Sequence, residues 1–465
     1  MRNRRFGSIV LTGALALAVL GTAPAAVASG AASGAASGMA SEVASEVASG
    51  VASEVEQGAA VTAGGSRHRV EVFAEDGSIG RATVPAASPY LTGDRPGLAP
   101  AAGDGDVTPI LRSGDSAGKV DVVVVGDGYT AAEQEKFRAD AAAKWQELSA
   151  VEPYAGYRNL FNVWAVATVS AESGITGDPD RATVRNTALG SYFWCEDIER
   201  LLCVDTKAVE NYAVKAPQAD LVLVVANTAK YGGAGYNVAS PLGYDGIATV
   251  AGGNPKAGQI AVHETGHSLG KLADEYFYDG SDTYPAEEGE PAEPNISMYT
   301  ADRLTHDRAK WYRWIGRTSP DGGVVGSYEG GGYYPKGLYR PTENSIMRSL
   351  GREFNLPGRE AMIAGFYRHA VPLTSPTPAG TPLTRADRLT VDLPVAGTTL
   401  SWSLDGRTLP QLRGRTTVDL RTVPLPGPRG RAHTLTATAT DPTPAVLDPA
   451  LRAALTATLS WPVTR

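Results

Sequence analysis

Histidine and cysteine are scarce in this chain: there are six of the first and two of the second in 465 residues. The cysteines, Cys195 and Cys203, have no second Cys or His pair beside them, which excludes a zinc knuckle. Beyond the N-terminal stretch no run is apolar enough to span a bilayer. Positive charge is short as well. The net charge is −8, so the composition gives no footprint for nucleic acid. "GDGYTAAE", residues 126–133, lacks the GxxxxGK[ST] spacing of a phosphate loop and reads as a strand-to-helix turn.

What is present describes an exported globular protein. Hydrophobic residues make up 43% and charged residues 20%, and 465 residues exceed one ordinary core. "MRNRR" is a basic start, "IVLTGALALAVLG" an apolar stretch too short for a comfortable span, and "APAAVAS" offers cleavage after Ala25 or Ala28. Residues 1–28 therefore read as a signal peptide, the mature chain as secreted and without stable membrane insertion. An uncleaved anchor is the alternative. Residues 29–65 are a low-complexity spacer built on a four-residue Ala-Ser repeat, with no large side chain to form a core.

In an exported chain the cysteine pair predicts one disulfide. Residues eight apart on a continuous helix are about 12 Å apart, and disulfide Cα atoms must be nearer than about 7 Å. "CEDIERLLC" must therefore bend.

The remaining chain divides by pattern. Residues 66–106 form a short β region, with two strands around the Asp-Gly of "HRVEVFAEDGSIGRATVP". Residues 107–374 alternate strand and helix: "KVDVVVVGD", then a helix with Thr130 as cap and Glu133 closing a capping box, then "FNVWAVATVS", "ADLVLVVAN" and "GIATVAG". This predicts an α/β (α+β) domain with a mixed sheet covered by helices. "AKYGGAGYNVASP" reads as a cleft edge to which an extended peptide could add as a strand. Residues 375–386 are a Pro/Thr-rich linker. Residues 387–465 alternate in short strands and predict an Ig-like C-terminal β-sandwich.

The chemistry concentrates in "AVHETGHSLGKLADEY", residues 261–276. On a helix His263 and His267 share a face and can reach one zinc ion. Glu264 projects beside them, where it can take a proton from a water that the metal acidifies. The extended form of this motif has a third histidine where this chain has Ala273. Gly270 ends the helix and can turn the chain back toward the metal. Asp274 is then the first candidate for the third ligand, Glu275 the second, and Glu287 or Glu288 the third. Met347 in "NSIMRSLG" stands where a turn methionine would lie beneath the histidines, as in metzincins. Tyr339, with Tyr333 and Tyr334 behind it, is the candidate donor to a developing oxyanion.

Several segments, in order, carry a resemblance: "VDVVVVGDGYTAAEQEKF", "FNVWAVATVSAESG", "HETGHSLGKLADEY", "EPNIS", "YEGGGYYPKGLYRP" and "NSIMR". Over roughly residues 107–370 the chain resembles the M64, IgA-peptidase-like family of secreted metallopeptidases. The resemblance implies a metzincin-like fold, one catalytic Zn2+, zinc-dependent endopeptidase activity on a protein or peptide substrate, and Asp274 as the shifted ligand. It does not carry over a preference for immunoglobulin A. The competing expectation is a secreted protein that binds a surface polymer or glycan through its C-terminal domain, with a structural or vestigial zinc site.

Overall fold

The computed structural model describes residues 66–91 and 101–465. The expected signal peptide and spacer lie outside the described residues. Among these residues no helix is long and apolar enough to cross a membrane.

Eight strands form one mixed sheet. They are β1 (Arg67–Phe73), β2 (Ile79–Pro85), β3 (Val107–Leu111), β4 (Val120–Asp127), β5 (Phe161–Val166), β6 (Leu221–Ala226), β7 (Gly233–Ala239) and β8 (Asp245–Ala251). Their order is β2-β1-β7-β8-β6-β4-β5-β3. The centre is parallel, with β4 beside β5 and β6, and β6 beside β8. The outer pairings, including β7 on β8 and β1 on β7, are antiparallel.

The apolar run of β4 follows from burial on both faces. Val122 and Val124 join a core with helices α1 (Gln134–Ser149), α2 (Gly258–Ser268) and α3 (Leu356–His369). Val123 and Val125 join the opposite core, against Leu189, Leu201 and Cys203. Ahead of α1, the Glu133 carboxylate accepts from the Thr130 amide at 2.9 Å and its hydroxyl at 2.8 Å, which is the reach-back half of the expected capping box.

The cysteine segment bends as its spacing requires. Cys195 and Cys203 are bonded with Cα atoms 6.0 Å apart. Trp194, Glu196 and Asp197 all take positive φ, so only a short 3-10 turn forms at Cys195–Asp197 and no continuous helix joins the two cysteines.

The sequence sets the N-terminal β region apart, yet β1 and β2 extend the central sheet itself. Periodicity shows that a segment is a strand but not which neighbour it pairs with. The segment expected as a linker contributes β11 (Leu383–Thr384), which pairs with β17 (Thr456–Thr464). Strand β17 continues through β16 (Ala432–Thr440) and β13 (Thr399–Leu404) to β14 (Arg407–Thr408). A second, two-stranded sheet joins β12 (Arg388–Thr390) to β15 (Thr417–Asp419). Residues of both sheets share one apolar cluster around Trp402 and Trp461. The tail is tied to the larger sheet domain: the hydroxyls of Tyr157 and Tyr367 donate to Asp441 at 2.8 and 2.9 Å.

Candidate metal centre

Helix α2 packs against β7 and β8, and glycines permit the approach. A Cβ on Gly235 would fall 1.8 Å from the Glu264 carboxyl, so that position in β7 must be bare for Glu264 to fit. On the same helix His263 and His267 lie one turn apart with ring centroids separated by 4.9 Å.

Each imidazole is fixed by its other nitrogen. Nδ1 of His263 donates to the Ile346 carbonyl at 2.8 Å, and Nδ1 of His267 to the Leu272 carbonyl at 2.6 Å. A carbonyl can only accept, so both protons sit on Nδ1 and both Nε2 atoms present lone pairs. Those Nε2 atoms are 3.1 Å apart. Around them stand two carboxylates. Asp274 Oδ1 is 3.3 and 3.5 Å from the Nε2 atoms of His263 and His267. Glu71 Oε2 is 2.9 and 3.8 Å from the same pair.

Two lone pairs and two carboxylates converging on one point are a set that only a cation can satisfy. Donors about 2.05 Å from one ion at tetrahedral angles are about 3.3 Å from one another. The observed separations, 2.9–3.8 Å, bracket that value. Ligand atoms of Glu71, His263, Glu264 and His267 also lie within 4.8 Å of one another. That grouping has Glu264 in place of Asp274, but Asp274 is nearer to what a ligand should be, because its Oδ1 touches both imidazoles. Asp274 Oδ1 and Glu264 Oε1 are buried without a hydrogen-bond donor, as atoms awaiting a metal or a substrate would be. The residues present therefore fit a metal ion.

Without a cation, protons take up the charge. Burial pulls His263 down, yet the adjacent Asp274 and Glu71 carboxylates push it up to about 10, and His267 rises well above its usual range for the same reasons. Burial would raise Asp274, but His267 and His263 hold it well below the usual carboxylate range. Burial, then the Glu71 charge, pushes Glu264 up to about 8.

The turn that brings Asp274 back differs from expectation in one residue. The left-handed position is Lys271, at φ 51°, and not Gly270. Gly270 is required for space instead, since a Cβ there would meet the Gly266 carbonyl at 2.6 Å and Met362 at 2.8 Å. Glu275 is taken up by other partners than the imidazoles. It accepts from Ser345 at 2.7 Å, Asn355 at 2.9 Å and Asn295 at 3.0 Å. Asn295 also brackets Ala273, at 2.7 Å from its amide and 2.8 Å from its carbonyl. Asp274 is thus held between two clamped neighbours. Met347 lies beneath the helix, where a Cβ on Gly266 would be 2.4 Å from its sulfur. Glu287 and Glu288 are exposed.

Of the tyrosines, Tyr333 reaches the cluster. Its hydroxyl donates to Asp274 Oδ2. Tyr339 lies in β10 (Tyr334–Arg340), its main chain paired with Ser297, and its hydroxyl makes no hydrogen bond with the cluster among the described residues. Sequence reasoning missed Glu71 altogether. Its one signal is alternation: in "RVEVF" it shares a strand face with Phe73, whose ring meets the His263 ring at 5.5 Å.

A buried pair of histidines on a helix packed against a mixed sheet, with a carboxylate left unpartnered beside it, could hold a metal ion. The sequence profile of the family described as IgA Peptidase M64 matches residues 108–321 and 318–366, more than half of the chain. The chain belongs to that peptidase family. Among curated proteins none matches it.

Proposed function

We propose that the chain is a secreted, zinc-dependent endopeptidase of metzincin-like build. The observation that carries the reading is the unpartnered Glu264 carboxylate beside the two Nε2 atoms and Asp274. Two imidazoles and a carboxylate are a donor set suited to zinc, and His263, His267 and Asp274 would hold the ion. When bound, the ion supplies an activated water and polarises the scissile carbonyl. Glu264 Oε1 takes the proton released in the attack and passes it to the leaving amine. Met347 supports the helix from below and Ile346 fixes the His263 tautomer, which is the work expected of a metzincin turn. We give Tyr333 the task of orienting Asp274 and assign the reaction no donor from Tyr339.

The disulfide and the expected signal peptide support export. Any surface polymer bound by the C-terminal sheets would be an accessory partner. The competing reading, a binding protein with a structural metal, draws on the presence of a fourth donor, Glu71. It leaves the buried Glu264 without a purpose.

The test is cleavage of casein or a peptide library by the chain and by Glu264→Ala, each with and without chelator. The wild-type rate should fall by about 10²–10⁴ in the variant while zinc content stays the same. Equal hydrolysis by both proteins would sink the proposal.

A further inference from the structure

The sequence places "AKYGGAGYNVASP" at an edge open to an extended peptide. In the structure that edge is taken by the chain itself: β1 runs antiparallel along β7, with Val70 opposite Tyr236 and Glu71 opposite Gly235. Resting on the peptidase reading above, we propose that the β1–β2 hairpin is a built-in inhibitor. It occupies the peptide-binding edge of β7, and Glu71 supplies the fourth donor to the metal, in the position that catalysis needs open.

Coordination comes first. A catalytic zinc keeps three protein ligands and leaves the fourth place for water or substrate, whereas a site with four protein ligands is closed. His263, His267 and Asp274 are three, and Glu71 Oε2, at 2.9 Å from His263 Nε2, is the fourth. Its other oxygen, Oε1, accepts from Tyr276 at 3.1 Å, so the carboxylate is aimed and not merely nearby.

Access is the second ground. With the hairpin in place, Glu71 is 1% exposed, His263 0%, Asp274 2% and Glu264 6%. His267, at 14%, is the most exposed of the group, so the hairpin leaves a polypeptide only a narrow approach to the centre. The hairpin also spans the cleft. Its turn accepts from the Leu350 amide at the Gly77 carbonyl, 3.0 Å away, just beyond the methionine turn. Arg81, directly opposite Glu71 on β2, lies 3.8 Å above the Tyr333 ring. Arg200 donates to the Phe73 carbonyl at 2.9 Å. One side is thus fastened to the sheet and the other to the segments beneath the metal.

A permanent structural ligand would also close the site. It would not explain why Gly235 stays bare to admit Glu264, or why Glu264 Oε1 is buried with no partner. Glu71 also lies outside residues 108–366, the span that the family profile matches. The hairpin is an addition laid over a complete centre.

The test uses the full chain loaded with cobalt in place of zinc, and acetohydroxamate as a probe for an exchangeable position on the metal. The wild-type visible spectrum should not change with the probe. Glu71→Ala and Glu71→Gln should both respond, their zinc affinity should fall by about tenfold to a hundredfold, and peptide hydrolysis should rise at least about tenfold. Glu71→Gln keeps the shape of the side chain and decides the matter if the alanine variant does not fold. A wild-type cobalt spectrum that responds to the probe as strongly as the variants overturns the proposal. Variants whose metal opens to the probe without any rise in hydrolysis sink the inhibitory role, whereas the peptidase reading stands or falls on Glu264→Ala, so the two failures are distinguishable.

Discussion

Two regions bring carboxylates to the same pair of histidines, and they do so in opposite ways. Asp274 follows its helix by a few residues and is held from both sides, by Asn295 on Ala273 and by the partners of Glu275. Glu71 arrives from nearly two hundred residues upstream, on a strand that joins the sheet between β2 and β7. The first region is built for permanence. The second is attached by an antiparallel pairing that another extended chain could reproduce. What separates a ligand from an occupant is how its neighbours are fastened, since the distances to the imidazoles are alike.

The contrast can be broken by substitution. The largest effect is expected at Asp274. Asp274→Ala should cut zinc affinity by at least about a hundredfold and abolish hydrolysis, against the smaller loss and the gain of hydrolysis expected for Glu71→Ala. Equal losses of zinc in the two variants, by competition with a chelator, would erase the distinction. Next comes Glu275→Ala. It strands the donors of Ser345, Asn295 and Asn355, and should cost about 1–3 kcal/mol of global stability in a denaturant titration. An unchanged midpoint would mean that the clamp is incidental. The smallest change is Tyr333→Phe. Loss of the hydrogen bond to Asp274 should weaken zinc binding by about tenfold with the fold intact, and an unaltered affinity would remove Tyr333 from the centre.

Legibility in the sequence followed the same division. Helical spacing alone put His263 and His267 on one face with Glu264 beside them, and the helix-ending segment pointed to Asp274 over Glu275. Strand alternation marked the sheet, and the separation of Cys195 from Cys203 required the bend that three positive-φ residues supply. Each of these signals is local. Glu71 gave only its alternation with Phe73, because a strand register shows which residues share a face and is silent on what that face meets. That Tyr333 is the tyrosine bonded to Asp274 was hidden for a related reason: in a glycine-rich hairpin, position along the chain says little about direction. The left-handed turn fell on Lys271 because Gly270 was already committed to a close approach of backbone to backbone.

The Glu275 network has a consequence for the order in which the molecule comes together. Its partners, Asn295, Ser345 and Asn355, follow Glu275 by up to 80 positions. Asn355 also begins the helix α3 by accepting from Gly358 at 2.8 Å. The loop that presents Asp274 therefore cannot settle until the chain beyond residue 355 has been made and folded. On the proposed zinc reading, capture of the ion would be tied to a late event in the life of the polypeptide, after most of the domain stands.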